Sequence, residues 1–434
     1  MIKAVIIILV TLFLIILFPN ATFAFSGSGT GTPNDPFQIT TINQLDEIRN
    51  NLSASYILMN DLDFAGSDLV WEPIGSEENP FFGQFNGNNQ TIQNLQITPQ
   101  INSFSGLFGY VNRSGEISNL NLAHATASGY GGIGVLAGLN EGLIQNCSAT
   151  DINIGGHSDE IGGLVGINNG TILDSFATGT ILSGREKVGG LAGRNGGFID
   201  RSYASVTIEH SKYYAGGLVG LNYQGKIQNC YALGSVSAES GVGGLVGYNY
   251  EGLIDACYAT GNVFTETDCA GGLIGQNHGF VKYSYALNER VDVGSQYFSD
   301  KNVDKKTIGR IIGWNEDYFN AGSVYECSYW DKIATNAKFR KNLDSELVRT
   351  VTSEDIWGTF GKSNWNGFNN GWILKNFSDN MLPIFDWQSE SPGDVSYLDP
   401  ENSNSGSSQS IPGFEFISSV LMFAGVVLLF GKGK

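Results

Sequence analysis

Between Gly162 and Asn277 one pattern of apolar and polar positions recurs five times: GGLVGINNGTILDSFATG, GGLAGRNGGFIDRSYAS, GGLVGLNYQGKIQNCYALG, GGLVGYNYEGLIDACYATG and GGLIGQNHGFVKYSYAL. The Gly that closes each anchor falls at Gly166, Gly193, Gly220, Gly247 and Gly275, spaced by 27, 27, 27 and 28 residues. Looser copies place it at Gly109, Gly138 and Gly313. The apolar runs are too short for a helix of about ten residues, and Gly and Asn punctuate them. A fixed period means stacked units, each burying its apolar face against its neighbours. Three short strands and three corners in about 27 residues predict one coil of an all-β parallel β-helix, a solenoid. A propeller blade needs about 40 or more residues, and the leucine pattern with a helical return is absent.

Aligned positions in successive coils form rows. Asn140, Asn168, Asn195, Asn222, Asn249, Asn277 and Asn315 each lie two residues after an anchor Gly. At a coil spacing of about 4.8 Å their amides can bond along the axis, which predicts a structural Asn ladder rather than a row of ligand-binding amides. Phe176, Tyr203, Tyr231, Tyr258 and Tyr285 form a second row. It is expected to point inward as core; pointing outward, it would be an aromatic strip for sugars.

In chain order, residues 1–24 carry one charge, Lys3, before the apolar run Ala4 to Phe18, and Thr22-Phe23-Ala24 supplies small residues for cleavage. This predicts a secretory signal peptide, with an uncleaved N-terminal anchor as the alternative. Residues 25–103 form the N-terminal cap and opening coils, with a helix over Thr41 to Leu52 whose stripe is Ile42, Leu45, Ile48 and Leu52. Thr41 is its cap, and the helix covers the open end of the solenoid. Residues 104–328 are the repeat solenoid and 329–388 a C-terminal capping segment containing Trp330, Trp357, Trp365, Trp372 and Trp387. Residues 389–411 are a polar flexible linker. Residues 412–434 begin with Pro412-Gly413-Phe414, continue with the apolar run Phe416 to Phe430 and end in basic residues. Fifteen helical residues span about 22 Å, short for a bilayer core of about 30 Å, so a removable sorting signal fits better than a permanent span. The loops His157 to Glu160 and Asn288 to Lys306 are where a partner surface is first expected.

The repeated GGLVG, Asn and CYATG elements resemble the GLUG motif of secreted and cell-surface proteins, most strongly over Phe104 to Ala286. The flanks GTPNDPFQITTINQLDEIRNNLSASYILMNDLDF, WEPIG, CSYWDK and MLPIFDWQ resemble segments that bracket such repeats. The resemblance implies adhesion and surface display, with cell-envelope components or extracellular carbohydrate or protein as partners. The tail resembles the archaeal PGF-CTERM sorting signal, on which an archaeosortase-like enzyme acts while attaching a lipid. Glu415 after the motif departs from the pattern and keeps a plain C-terminal membrane anchor open.

A formal charge of -18 argues against nucleic acid as a partner. Five cysteines cannot all pair; Cys230 and Cys257 share a row that Cys147 also approaches and that holds Ser175, Ser202 and Ser284, so buried thiols are expected, with a Cys230–Cys257 bridge as the alternative that distance allows. N-glycosylation sequons start at Asn51, Asn89, Asn112, Asn146, Asn169 and Asn376. GLUG repeats also accompany IgA1-specific metallopeptidases, but there is no H-E-x-x-H, and His124, His157, His210 and His278 are scattered. G-x-S-x-G and P-loop motifs are absent.

The enzymatic alternative is a β-helix polysaccharide lyase or glycosidase. Its best carboxylates are Asp200 and Asp255, two coils and about 9.6 Å apart with Gln228 between them, and no basic residue is evidently placed beside them. Asp61, Asp63 and Asp68 form an acidic group of the kind that holds Ca2+, but no calcium motif supports it. No cofactor is expected. The expected function is therefore non-enzymatic adhesion or cell-envelope interaction through a rigid surface; a purely structural envelope component is the other alternative.

Overall fold

A computed structural model of the protein describes residues 25–67, 71–98, 104–156, 158–294, 308–315, 323–325, 327–330 and 348–351. The signal peptide expected at 1–24, Asp68, His157, Asn376, the linker and Pro412, Gly413 and Phe414 lie outside the described residues. So does the capping segment apart from the strands Cys327–Trp330 and Val348–Val351.

Each coil is built from three strand stretches. In the coil opening at Gly162 they are Val165–Asn168, Thr171–Leu173 and Phe176–Gly189. All pair in parallel with their counterparts one period away, as in Val165↔Ala192↔Val219↔Val246 and Ile172↔Ile199↔Ile227↔Ile254. The first two stretches belong to a 17-stranded sheet and the third to an 18-stranded one, giving an all-β parallel solenoid of about nine coils. In later coils the third stretch divides, as in Tyr231–Ala232 followed by Val236–Gly243.

The interior is one continuous core of rows. Leu164, Leu191, Leu218, Leu245 and Leu273 are fully buried, as are Ile172, Ile199, Ile227 and Ile254. The third-strand row Ala177, Ala204, Ala232, Ala259 is small because it faces the paired glycines across the coil. A Cβ on Gly163, Gly190 or Gly217 would come within 2.8–2.9 Å of the Ala177, Ala204 or Ala232 Cβ. The closing Gly of the anchor has no room either: a Cβ on Gly220 would sit 2.3 Å from the carbonyl carbon of Lys187 in the preceding coil. The GGLVG anchor is thus a point of close backbone approach between coils.

Asn140, Asn168, Asn195, Asn222, Asn249 and Asn277 are fully buried. Each Nδ2 donates to the next Oδ1 at 2.8 Å, from Asn140 through to Asn277. Each Nδ2 also reaches a Gly carbonyl in its own corner, as Asn222 does to Gly225 at 3.1 Å. Asn315 is Asn277's backbone partner in the next coil. The corner after the second strand is left-handed in these described coils, with φ from 45° to 51° at Asn146, Asp174, Arg201, Asn229, Ala256 and Tyr283. For Arg201, Ala256 and Tyr283 that conformation costs on the order of 1–2 kcal/mol each.

The following row is Cys147, Ser175, Ser202, Cys230, Cys257 and Ser284, all buried. Thiol and hydroxyl do the same work there. The Cys230 Sγ donates to the Gln228 carbonyl at 2.9 Å, and the Ser202 Oγ to the Asp200 carbonyl at 2.8 Å. Cys147, Cys230, Cys257 and Cys269 are free thiols. Burial pushes the Cys147 thiol up to about 12 and the Cys230 thiol well above its usual value, the latter with a further contribution from Cys257.

The N-terminal cap is a short helix, Ile42–Asp46, continued by one 3-10 turn, Glu47–Asn50. The Thr41 Oγ1 accepts the Gln44 N–H at 3.2 Å. Leu45 and Ile48 are buried, while Ile42 and Leu52 pack partly buried against the core. The helix is shorter than Thr41 to Leu52. Arg49 bonds to Asp46 at i,i+3, a spacing the tighter turn aligns, and the Asn51 Oδ1 takes the Ser53 N–H and so ends the run.

Replacing Asn222 by Ala would strand the Asn195 Nδ2 and the Asn249 Oδ1. Urea denaturation is expected to show a loss of about 2–5 kcal/mol, against less than about 0.5 kcal/mol for Asn169→Ala at the exposed neighbouring position. The thiols set a pH dependence. A native pKa raised above the unfolded one means the unfolded chain releases protons first, so stability falls as pH climbs from about 9 toward 12. The urea midpoint should therefore drop above pH 9, and less steeply in Cys147→Ser, which takes the residue used elsewhere in the row.

A candidate ligand-binding face

The ring row meets expectation in part: Tyr231, Tyr258 and Tyr285 belong to the buried core, but the row's place on the strand is not the inward one. Phe176, Tyr203, Tyr231 and Tyr258 alternate with the inward Ala row and so lie on the outer side of the strand. They stack on one another with centroids 4.7, 4.7 and 5.0 Å apart and planes within 4–6°. Tyr231, Tyr258 and Tyr285 are buried, and Phe176 and Tyr203 half-buried. Burial pushes the Tyr203 phenol up. In such a stack each ring face is covered by the next ring, so the row offers edges, and no run of open faces, to a sugar. The Asn ladder likewise uses its amides inside the coil.

The carboxylate pair is also engaged. Asp200 and Asp255 flank Gln228 in one row, but basic partners do stand beside them, contrary to expectation. Arg201 reaches Asp200 at 2.6 Å and holds Asp174 through two bonds of 2.7 and 2.8 Å; Lys282, one coil on, reaches Asp255 at 2.9 Å. These partners come from the left-handed corner and the next coil. Asp61 accepts the Thr91 N–H, and Asp63 accepts from Asn94, Gln93 and the Ala65 N–H. The Asn94 and Ala65 bonds hold the Asp63 carboxyl below the usual range. Among the described residues no group of three or more His, Cys, Asp and Glu could hold a metal.

The two loops are tied down where they are described. Ser158 is buried and donates to the Gly131 carbonyl, Asp159 pairs with Arg185 at 3.4 Å, and Glu160 pairs with Lys187 at 3.0 Å. Asn288 is buried, and Val291–Val293 is a strand, so the described part of the second loop continues the coil; residues 295–307 lie outside the described ones. Of the sequons, Asn51, Asn89, Asn146 and Asn169 are exposed and Asn112 is half-buried.

A different set of aromatic residues gathers on the outer face of the first strand. Tyr223 and Tyr250 follow the ladder asparagines and stack at 5.2 Å; His278 continues that row and meets Tyr250 edge-on at 5.1 Å. Tyr248 crosses Tyr250 at 76°, and Tyr214, from the left-handed corner of the preceding coil, leans on Tyr248 at 5.2 Å. Tyr213 adjoins Tyr214 at 6.3 Å. Gly241 makes room: a Cβ there would lie 2.9 Å from the Tyr214 ring. Burial pushes the Tyr214 phenol up, with Glu186 adding to the shift. Tyr213 and Tyr223 are 40% and 38% exposed, and Arg194 lies over the Tyr223 ring at 5.3 Å. Tyr223 and Tyr250 are laddered with planes 5° apart, whereas Tyr214 and Tyr248 are tilted and crossed against that stack, so this face presents ring surfaces, hydroxyls and a guanidinium together. Its signal in the sequence was the Asn-Tyr pairs at Asn222-Tyr223 and Asn249-Tyr250, which only matter once the rows are aligned with Tyr213 and Tyr214.

The fold is thus a parallel solenoid of repeated coils. The family profile of the GLUG motif matches residues 211–237 and 238–263, two consecutive coils. Halomucin of Haloquadratum walsbyi is 34% identical over 155 residues, which is 33% of this chain and 2% of that protein. A protein of Evansella cellulosilytica, named as a Gly-rich membrane protein, is 36% identical over 133 residues, 29% of this chain and 15% of that one. The chain therefore matches only a small share of either relative. A crystal structure named as an immunoglobulin A1 protease from Bacteroides ovatus aligns with a TM-score of 0.44 and 22% identity over 83% of this chain and 95% of that one. A second, named IgA1 protease, aligns at 0.41 and 16% over 77% and 29%. At these scores neither likeness bears on what the chain does.

Proposed function

We propose that this chain is a non-enzymatic, exported cell-surface protein that holds extracellular carbohydrate on the Tyr213–Tyr250 aromatic face, an adhesive role. The observation that carries the proposal is that face: crossed, part-exposed tyrosines beside a guanidinium on a rigid rod. Tyrosine supplies an apolar body for a sugar ring and a hydroxyl for its edge. Relatives named halomucin and membrane protein support placement at the cell surface. Among the described residues no helix is long and apolar enough to cross a membrane. In this proposal attachment falls to the 412–434 segment, as a lipid-carrying sorting signal processed by an archaeosortase-like enzyme or as a membrane anchor. Glycans on the exposed sequons complete the surface.

The test is retention of the full-length chain on immobilised polysaccharides, with and without Ca2+, scored together with release of new chain ends. Retention without cleavage is expected, reduced roughly tenfold in the Tyr248→Ala, Tyr250→Ala double variant, since each ring contact contributes on the order of 0.5–1.5 kcal/mol. New chain ends that disappear in Asp200→Asn or Asp255→Asn would instead mark a glycosidase or lyase. Absence of both signals would leave a structural envelope component.

A further inference from the structure

Most described cations on this acidic chain have an anion beside them. Arg49 pairs with Asp46, Arg113 with Glu141, Arg185 with Asp159, Lys187 with Glu160, and Lys282 with Asp255. Arg194 has none, although the chain carries 42 acidic residues against 24 basic ones. Its neighbours in the outward row are Ile167 and Leu221, one coil to either side, and its guanidinium rests over the Tyr223 ring. Aliphatic neighbours strip water from a cation without neutralising it, which raises the value of an incoming anion. Three acids on neighbouring coils have partners of their own: Glu160 and Glu186 lie beside Lys187, and Glu251 accepts from the Gln224 amide at 2.8 Å.

We infer that the glycan held on the aromatic face carries a carboxylate, as a uronic acid does, and that Arg194 receives it. The inference rests on the carbohydrate proposal above. A guanidinium presents its N–H groups in a planar fork that matches the two oxygens of a carboxylate. Arg194 and Tyr248 lie in the same outward row two coils apart, about 9.6 Å, with the side chain of Leu221 as an apolar floor between them. A sugar ring over the Tyr214–Tyr248 end thus has its acidic group, or that of the adjoining unit, directed to Arg194. The chain's overall charge of -18 opposes a polyanion at long range, but that repulsion is screened beyond about 8 Å at physiological salt, whereas the pair at Arg194 is a contact. The site therefore favours acidic over neutral sugars by local geometry alone.

The experiment compares the full-length chain on polygalacturonate and on the same polymer with its carboxyl groups reduced, without Ca2+. Polygalacturonate should be held about tenfold more tightly or better, the range of a charged hydrogen-bonded contact. Arg194→Gln should close the gap between the two polymers, bringing the affinity for polygalacturonate down to that for the reduced polymer. Arg194→Lys, which keeps the charge and loses the fork, should fall between. A urea midpoint unchanged from the parent shows that the Gln variant is folded; were it to unfold, the Lys variant carries the same comparison. Equal retention of both polymers by the parent, or an equal loss of both in Arg194→Gln, would overturn the assignment while the carbohydrate proposal stands. Retention of neither by the folded parent would remove both.

Discussion

Stacking at about 4.8 Å is the constraint on which this structure depends, because it makes each residue's nearest neighbour its own counterpart one coil away. A side chain in a row must therefore be compatible with itself. Asn satisfies this best inside the coil: its amide both donates and accepts, so identical residues bond end to end from Asn140 to Asn277. Leu, Ile and Ala satisfy it by packing, and Ser and Cys do so by returning a hydrogen bond to their own strand. Phe176 and the tyrosines after it satisfy it by stacking.

Charge is the case that self-stacking punishes. A column of carboxylates at that spacing would repel, and the described rows avoid one. Asp200 is followed by Gln228, Asp255 and then Lys282 in one row, while Asp174 and Arg201 take opposite charges at consecutive left-handed corners. This alternation is why the paired aspartates that resemble a glycosidase couple are held by cations instead. Arg194 departs from that alternation, since its row provides Ile167 and Leu221 and, like Lys226 over Phe198, it meets a ring instead of an acid.

How much was legible follows from the same rule. The period, the Asn ladder and the Thr41 cap are properties of a single row or a single turn, and they can be read from spacing. The side taken by Phe176 and its followers is set by alternation against Ala177, whose inward place depends on Gly163 lying opposite it across the coil. That contact joins positions fourteen residues apart and leaves no mark on the apolar pattern, because a stacked outer ring looks as hydrophobic as an inner one. The cations beside Asp200 and Asp255 were missed because one is the next residue, turned back by a positive φ at Arg201, and the other is one coil away. The Tyr213–Tyr250 face joins strands from three successive coils, so no single row announces it.

A regular solenoid satisfies itself, and surface chemistry able to recognise another molecule has to come from rows that break their own repeat. Arg194, Leu221, Tyr248 and Gln276 occupy one outward row with four different side chains, which cannot bond to one another as the Asn row does. The described sequons all lie at or before Asn169, so glycans carried there would cover coils on the N-terminal side and leave the aromatic coils bare. A rod of this kind separates its tasks along the axis: identical rows supply stiffness, and the few rows that vary supply the contact surface.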